Sequence, residues 1–240
     1  QILINRASAR NIYTYLGANA GLTHATNAFI KTNSSLTASV LNQPTDTDKD
    51  KLIDFTHGYD AYDDNGNTVT NEKREWILGS FLHSRPFIIH YADRTVIYAG
   101  SNDGMLHAFD DNNGEELWAF IPPCLLGRLS ELHTNTPGVF VDGSPKAYIA
   151  YGSDGYPTKA ILIFGLRRGG NKYYALDVTD PIHPSYAWKI DPDTMNQYAE
   201  MGQSWSSPVI GKIASGTGEL QAAFIGGGYD DGQDEATPPA

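Results

Sequence analysis

Residues 86–121 read PFIIHYADRTVIYAGSNDGMLHAFDDNNGEELWAFI. Four short runs, at 86–91, 95–101, 105–110 and 116–121, alternate apolar and polar side chains. That period of two marks a strand with one buried face. The breaks between runs are Ala92-Asp93-Arg94, Asn102-Asp103-Gly104 and the stretch from Asp111 to Gly114. An Asp-Gly pair supplies the positive-φ position that a tight hairpin needs. The stretch therefore predicts one sheet built as an antiparallel meander.

The unit recurs. Gly143-Ser144-Pro145 opens a second copy as Ser84-Arg85-Pro86 opens the first, and Ser206-Ser207-Pro208 opens a third. Ser84, Ser144 and Ser207 are 60 and 63 residues apart. Gly100, Gly165 and Gly226 end the second strand of each copy, at spacings of 65 and 61. Further strands are expected at 146–151, 160–166, 172–178 and 186–190, then at 209–213 and 221–225. A period near 60 with four strands per unit is the sequence form of a β-propeller with long blades. Residues 83–240 hold two blades and half of a third, whereas closure takes about four to eight. The remaining blades are expected from a longer chain or from a second one.

Ala108-x-Asp110-x-x-x-Gly114-x-x-x-Trp118 resembles the tryptophan-docking pattern of quinoprotein-like propeller blades. Asp110 and Gly114 set the turn, and Trp118 is expected flat between adjacent sheets, where a large aromatic buries the most area. Ala175-x-Asp177 and Trp188 repeat the pattern across a longer loop, and Trp188 is expected in the equivalent place. The fold class is all-β: a partial β-propeller of four-stranded blades over residues 76–240. An irregular, short-helical N-terminal segment, residues 1–75, precedes it.

Within that segment, 7–17 suits a short helix and 19–43, rich in Thr, Asn, Ser and Ala, reads as an extended connector. At 50–56, Leu52, Ile53 and Phe55 suit a short helix that Gly58 stops. No signal peptide is legible from Gln1 to Ile4, so the chain is expected to be mature or a fragment. No apolar run approaches the ~18 residues that span a bilayer.

The chain of 240 residues carries 17 basic and 28 acidic side chains, a net charge of −11. That balance argues against a phosphate-backbone binder, which needs a basic surface. With 40% hydrophobic and 19% charged residues the composition is that of a globular protein. Cys124 is the only cysteine, which excludes an internal disulfide and cysteine-based zinc or haem motifs. Its expected role is a small buried hydrophobe.

Asp46-x-Asp48-x-Asp50-x-x-x-Asp54 has the carboxylate spacing of a calcium loop, with oxygens at positions one, three, five and nine. Position six is Lys51 where such loops have glycine, and no bidentate Glu follows. The other reading is that Asp46 or Asp48 caps the short helix and the rest are solvated. Asp60, Asp63, Asp64, Asn65, Gly66 and Asn67 form a second oxygen-rich loop, read as an Asx-rich turn. Arg167-Arg168-Gly169-Gly170 is a basic hairpin tip in an acidic protein: a contact for an acidic partner, or a pair serving carboxylates and carbonyls between blades. His83 and His107 are expected to be structural hydrogen-bonders. Gly226-Gly227-Gly228 follows a strand, but no helix comes after it, and Asp230, Asp231, Asp234 and Glu235 would repel a nucleotide's phosphates. No catalytic set emerges from the motifs present.

The ordered motifs as a whole resemble the PilY family of type IV pilus assembly and tip-adhesin proteins. They are Trp76-Ile77-Leu78-Gly79 with His83-Ser84-x-Pro86, the stretch from Tyr98 to Phe109, Val141-Asp142-Gly143-Ser144-Pro145, Gly165-Leu166-Arg167-Arg168-Gly169-Gly170 with Tyr174-Ala175-Leu176-Asp177, Trp205-Ser206-Ser207-Pro208, and Phe224 to Asp230. Arg10 to Tyr15 resembles the lead-in to that domain. The resemblance implies a C-terminal propeller, a calcium (Ca2+) loop, minor pilins or other pilus-tip components as partners, and a host or abiotic surface as target. It also implies a Gram-negative cell-surface location, at the pilus tip or outer membrane, and no enzymatic turnover. Loops at 122–141 and 178–186, stiffened by Pro122, Pro123, Pro137, Pro181 and Pro184, are the expected contact regions. Two alternatives share the repeat. One is a pyrroloquinoline-quinone dehydrogenase, whose adjacent cysteines this chain lacks; the other is a periplasmic scaffold for outer-membrane assembly.

Overall fold

A computed structural model describes residues 3–134, 138–216 and 218–230. Pro137 and the acidic Asp231, Asp234 and Glu235 lie outside the described residues.

The predicted meander forms as β2 (Phe87–His90), β3 (Thr95–Gly100), β4 (Leu106–Asp110) and β5 (Glu116–Phe120), each antiparallel to the next. Gly114 adopts φ +71 and returns its N–H to Asp110 O at 2.8 Å, which closes the last hairpin. The second copy folds alike, as β6 (Lys146–Tyr151), β7 (Pro157–Gly165), β8 (Tyr173–Asp177) and β9 (Ser185–Ile190). The third contributes the hairpin β10 (Val209–Ser215) and β11 (Gly218–Phe224). These sheets do not close into a ring, and the architecture is a partial β-propeller.

The blades are joined where backbone crosses backbone. A Cβ on Gly100 would lie 2.4 Å from Val141 O, and one on Gly165 would lie 2.8 Å from Ser204 O. Only glycine admits the entering chain of the next blade that closely, which explains the glycine that ends the second strand of the first two blades; at Gly226 a Cβ would meet Ser206 only at 3.6 Å. Ser84 Oγ accepts from Gly100 N and donates to Gly143 O, and Ser144 Oγ accepts from Arg85 N at 3.0 Å.

Trp118 is buried between the first two sheets, and its Nε1 donates to Pro181 O at 2.8 Å. Tyr91 Oη donates to Val178 O across the same seam, and Phe120 meets Phe164 and Tyr174 edge-on. Trp188 departs from the expectation of full packing and is 37% exposed. It faces Ala223 and Ile225 across a cleft of about 320 Å³, because the third sheet has two strands among the described residues.

The N-terminal segment differs most from its sequence reading. Residues 7–17 are not helical. Ile12–Tyr13 form β1, which adds in parallel to the outer edge of β5, pairing Ile12 with Ala119 and Tyr13 with Phe120. The stretch 19–43 is not an extended connector but a run of turns that buries Leu22, Phe29, Leu36 and Leu41 in the core shared by the first two blades. It also straps the second blade, since Tyr186 N donates to Ala20 O and Leu22 N to Pro184 O. Tyr15 stacks on Tyr186 with ring centroids 3.8 Å apart. The helix α1 spans Asp46–Thr56, four residues longer at its start than read from the apolar spacing. Gly58 follows it at φ +98.

Candidate functional site

The four proposed calcium carboxylates lie on α1. Its N-cap is Thr45 rather than Asp46 or Asp48: Thr45 Oγ1 accepts from Asp48 N at 3.1 Å and donates to Asp48 Oδ2 at 2.6 Å. On a helix, residues two apart point to opposite sides, so Asp48 faces away from Asp46 and Asp50. Asp46 and Asp50 flank Lys49, while Asp54 pairs with Lys31 at 2.9 Å. Alternate oxygens therefore do not wrap one cation here, and these residues do not fit one calcium shell. Among the described residues no group of three or more His, Cys, Asp or Glu is arranged to hold a metal. The second oxygen-rich loop is the expected Asx turn: Asp60 accepts from the amides of Asp64 and Asn65, and Asp63 from Thr68 N.

Arg10, Asp103, His107 and Glu116 form a buried tetrad of charges that no local motif reveals. Arg10 donates to Glu116 through Nε at 2.7 Å and Nη2 at 2.6 Å, and through Nη1 to Thr56 O at 2.9 Å. His107 Nδ1 contacts Glu116 Oε1 at 2.8 Å, and its Nε2 contacts Asp103 Oδ1 at 3.0 Å. The other Asp103 oxygen accepts from Gly79 N. Phe109 stacks on the imidazole and Phe81 tilts against it. Burial alone would depress the His107 pKa, but the carboxylates of Asp103 and Glu116 raise it to about 9. Burial would raise Glu116, but Arg10 and then His107 hold it well below the carboxylate range. Two cations and two anions thus neutralise each other out of water. A protonated imidazole with both N–H groups donated to carboxylates has no lone pair with which to act as a base. The group ties the N-terminal segment, α1 and the entry to β2 onto the first blade.

His83 and Asp142 make a second junction. Asp142, buried, accepts from His83 N at 3.2 Å and meets His83 Nδ1 at 2.8 Å and Arg167 Nε at 3.7 Å. Arg167 thereby serves a carboxylate between blades. Cys124 is half-buried, and burial pushes its thiol pKa up despite a hydrogen bond with Tyr174.

Among the described residues, exposed large apolar side chains include Val209, Ile213, Leu220 and Phe224 on β10 and β11, and Trp76 and Leu82 on the entry to the first blade. The pairing of Val209 with Phe224 and of Ile213 with Leu220 puts the first four on one face of the hairpin.

Residues 89–236 match the family described as the PilY1 beta-propeller domain. The type IV pilus biogenesis factor PilY1 of Pseudomonas aeruginosa (strain UCBPP-PA14) is 29% identical over 274 residues, covering 98% of this chain and 22% of that protein. A type IV pilus biogenesis factor PilY1 homolog of Xylella fastidiosa is 36% identical over 157 residues, covering 62% of this chain and 12% of that protein. The crystal structure of the P. aeruginosa PilY1 C-terminal domain is similar at a TM-score of 0.41, with 37% identity over 56% of this chain and 25% of that one. The chain spans less than a quarter of the length of either of these full-length relatives.

Proposed function

The chain belongs to the PilY1 β-propeller family, and from that membership we propose that it is the blade-bearing part of a type IV pilus biogenesis factor that works by surface contact. The family match over 89–236 carries the reading. Two features of the chain support contact over turnover. The buried ionisable side chains of the first blade are spent on one another, and the entry to that blade presents Trp76 and Leu82 outward. In this reading the protein sits at the bacterial cell surface, in the pilus tip or against the outer membrane. Its partners are minor pilins and other tip components, and adhesion to a host or abiotic surface follows from the tip position. Calcium, where the whole protein takes it, acts through oxygen ligands other than the helical set at Asp46, Asp48, Asp50 and Asp54.

The test is deletion of the gene in the bacterium that carries it. Surface pili counted by electron microscopy, twitching and attachment should all fall, and return on complementation. Normal piliation and attachment in the deletion strain would overturn the proposal.

A further inference from the structure

Three backbone segments meet beside the turn after β7. Arg167 N donates to Ser204 O at 3.2 Å, Leu166 N to Ser204 Oγ at 2.8 Å, and Ser204 N to Gly170 O at 3.0 Å. Residues 202–203 pair in turn with 227–229, Gln203 N donating to Tyr229 O at 2.6 Å and Gly202 N to Gly227 O at 2.9 Å. Arg167 itself has φ +52, a left-handed conformation that a non-glycine residue adopts only when its surroundings impose it.

That backbone directs two guanidinium groups at one indole. Arg167 Cζ lies 4.6 Å and Arg168 Cζ 5.3 Å from the ring centroid of Trp205. Trp205 Nε1 donates to Gln203 Oε1 at 2.9 Å. Arg168, Gln203, Trp205 and Tyr229 line an open cleft of about 610 Å³. Arg167 has Asp142, but Arg168 makes no ion pair among the described residues, in a chain with 28 acidic side chains. The Gln203 oxygen is occupied by Trp205, which leaves its amide hydrogens. Arg168 and Gln203 thus offer donors to the cleft.

We propose that this cleft docks a carboxylate of an acidic peptide segment on a protein partner. A guanidinium matches a carboxylate with two parallel hydrogen bonds, and the indole beneath it fixes its plane. A set of donors suits a group that only accepts. An acidic sugar would also bring hydroxyl donors, and the arginines already occupy the Trp205 face they approach. The protein's net charge of −11 repels anions in general, so binding of one reports a local match. The inference needs the fold alone and stands apart from any role in piliation.

The probe is a rhodamine-labelled tetraglutamate peptide, titrated with the full chain at low salt and followed by anisotropy, with tetraglutamine as the neutral control. Tetraglutamate should bind and tetraglutamine should not. Arg168→Gln should weaken tetraglutamate about tenfold or more, and Arg168→Lys by less, because lysine keeps the charge without the fork. Arg168 is on the surface, and an unchanged circular dichroism spectrum will show that its variants fold. Equal binding of the two peptides, or parent-like binding by Arg168→Gln, would overturn the proposal. So would tighter binding of 3′-sialyllactose than of tetraglutamate, which would assign the cleft to acidic sugars.

Discussion

The Arg10 guanidinium holds the Glu116 carboxylate by hydrogen bonds of 2.6 and 2.7 Å across 106 residues of chain, with both side chains out of water. The bond anchors the segment that enters the fold at β1 to the outer strand of the first blade. Its neighbours Thr56 and His107 draw α1 and β4 into the same junction.

Removing one partner leaves a buried charge without compensation. Arg10→Met should cost roughly 3–5 kcal/mol of unfolding free energy, read from urea denaturation. Arg10→Met combined with Glu116→Leu should recover much of that loss, since an apolar pair carries no desolvation penalty. Additive losses in the double variant would show that the two side chains act independently.

The same cluster sets a pH window. His107 titrates near 9 when folded and near 6.5 when unfolded, so its contribution is complete below pH 6.5 and is lost as pH climbs through 9. Glu116 is held below its unfolded value of 4.5, so its contribution is present above pH 4.5 and is lost on acidification. His57 is depressed by burial, and its contribution is lost only as pH falls below 6.5. Cys124, whose thiol burial raises above 9.0, adds to the loss only as pH nears 9, so the limb from pH 6.5 to 8 reports His107. Urea midpoints should decline between pH 6.5 and 9, and His107→Gln should flatten that decline while lowering stability at pH 6. A parent whose midpoint is constant over that range would contradict the assignment.

The helix makes a definite statement about the first oxygen-rich motif. Asp46, Asp50 and Asp54 follow one side of α1 and are paired with Lys49 and Lys31, while Asp48 is held at the cap by Thr45. Calorimetric titration with calcium should give the same heats for the parent chain and for Asp50→Ala. Loss of a binding isotherm in Asp50→Ala would mean that α1 unwinds to form a loop around the ion.

Most blade strands were legible because alternation and turn chemistry are local. The expected 146–151 strand is β6 to the residue, and Asp110 with Gly114 closes the predicted hairpin. The start of α1 was legible in principle, as Thr45-x-x-Asp48 is a capping pair that lies outside the apolar spacing used to find the helix. The two residues of β1 carry no local signal, because their pairing depends on the edge of β5 more than a hundred positions away. One sign of the tetrad was present. In the sequence Glu116 keeps the alternation of Trp118 and Phe120, and a carboxylate in such a pattern requires a buried cation; a bulge at Leu117 turns it to the opposite, equally buried face, beside His107 and Phe109. Which cation answers it, Arg10, is decided only by the tertiary fold.

The two repeat tryptophans should differ in energetic weight because their surroundings differ. Trp118 is sealed between the first two sheets beside Tyr98, and its indole N–H satisfies Pro181 O in the following blade. Trp118→Ala should therefore cost roughly 3–5 kcal/mol, the loss typical of a large core aromatic. Trp118→Phe should cost less, since it keeps much of the packing but leaves the Pro181 carbonyl without its donor. Trp188 sits at the equivalent place in the second blade but is 37% exposed beside an open cleft, so less area is lost on truncation. Trp188→Ala should cost about 1 kcal/mol. Thermal and urea unfolding of the three variants will separate these values, and emission spectra will report the environments, blue-shifted for Trp118 and red-shifted for Trp188. Equal losses for Trp118→Ala and Trp188→Ala would show that the second seam is packed as tightly as the first in solution, with β10 and β11 closed over Trp188.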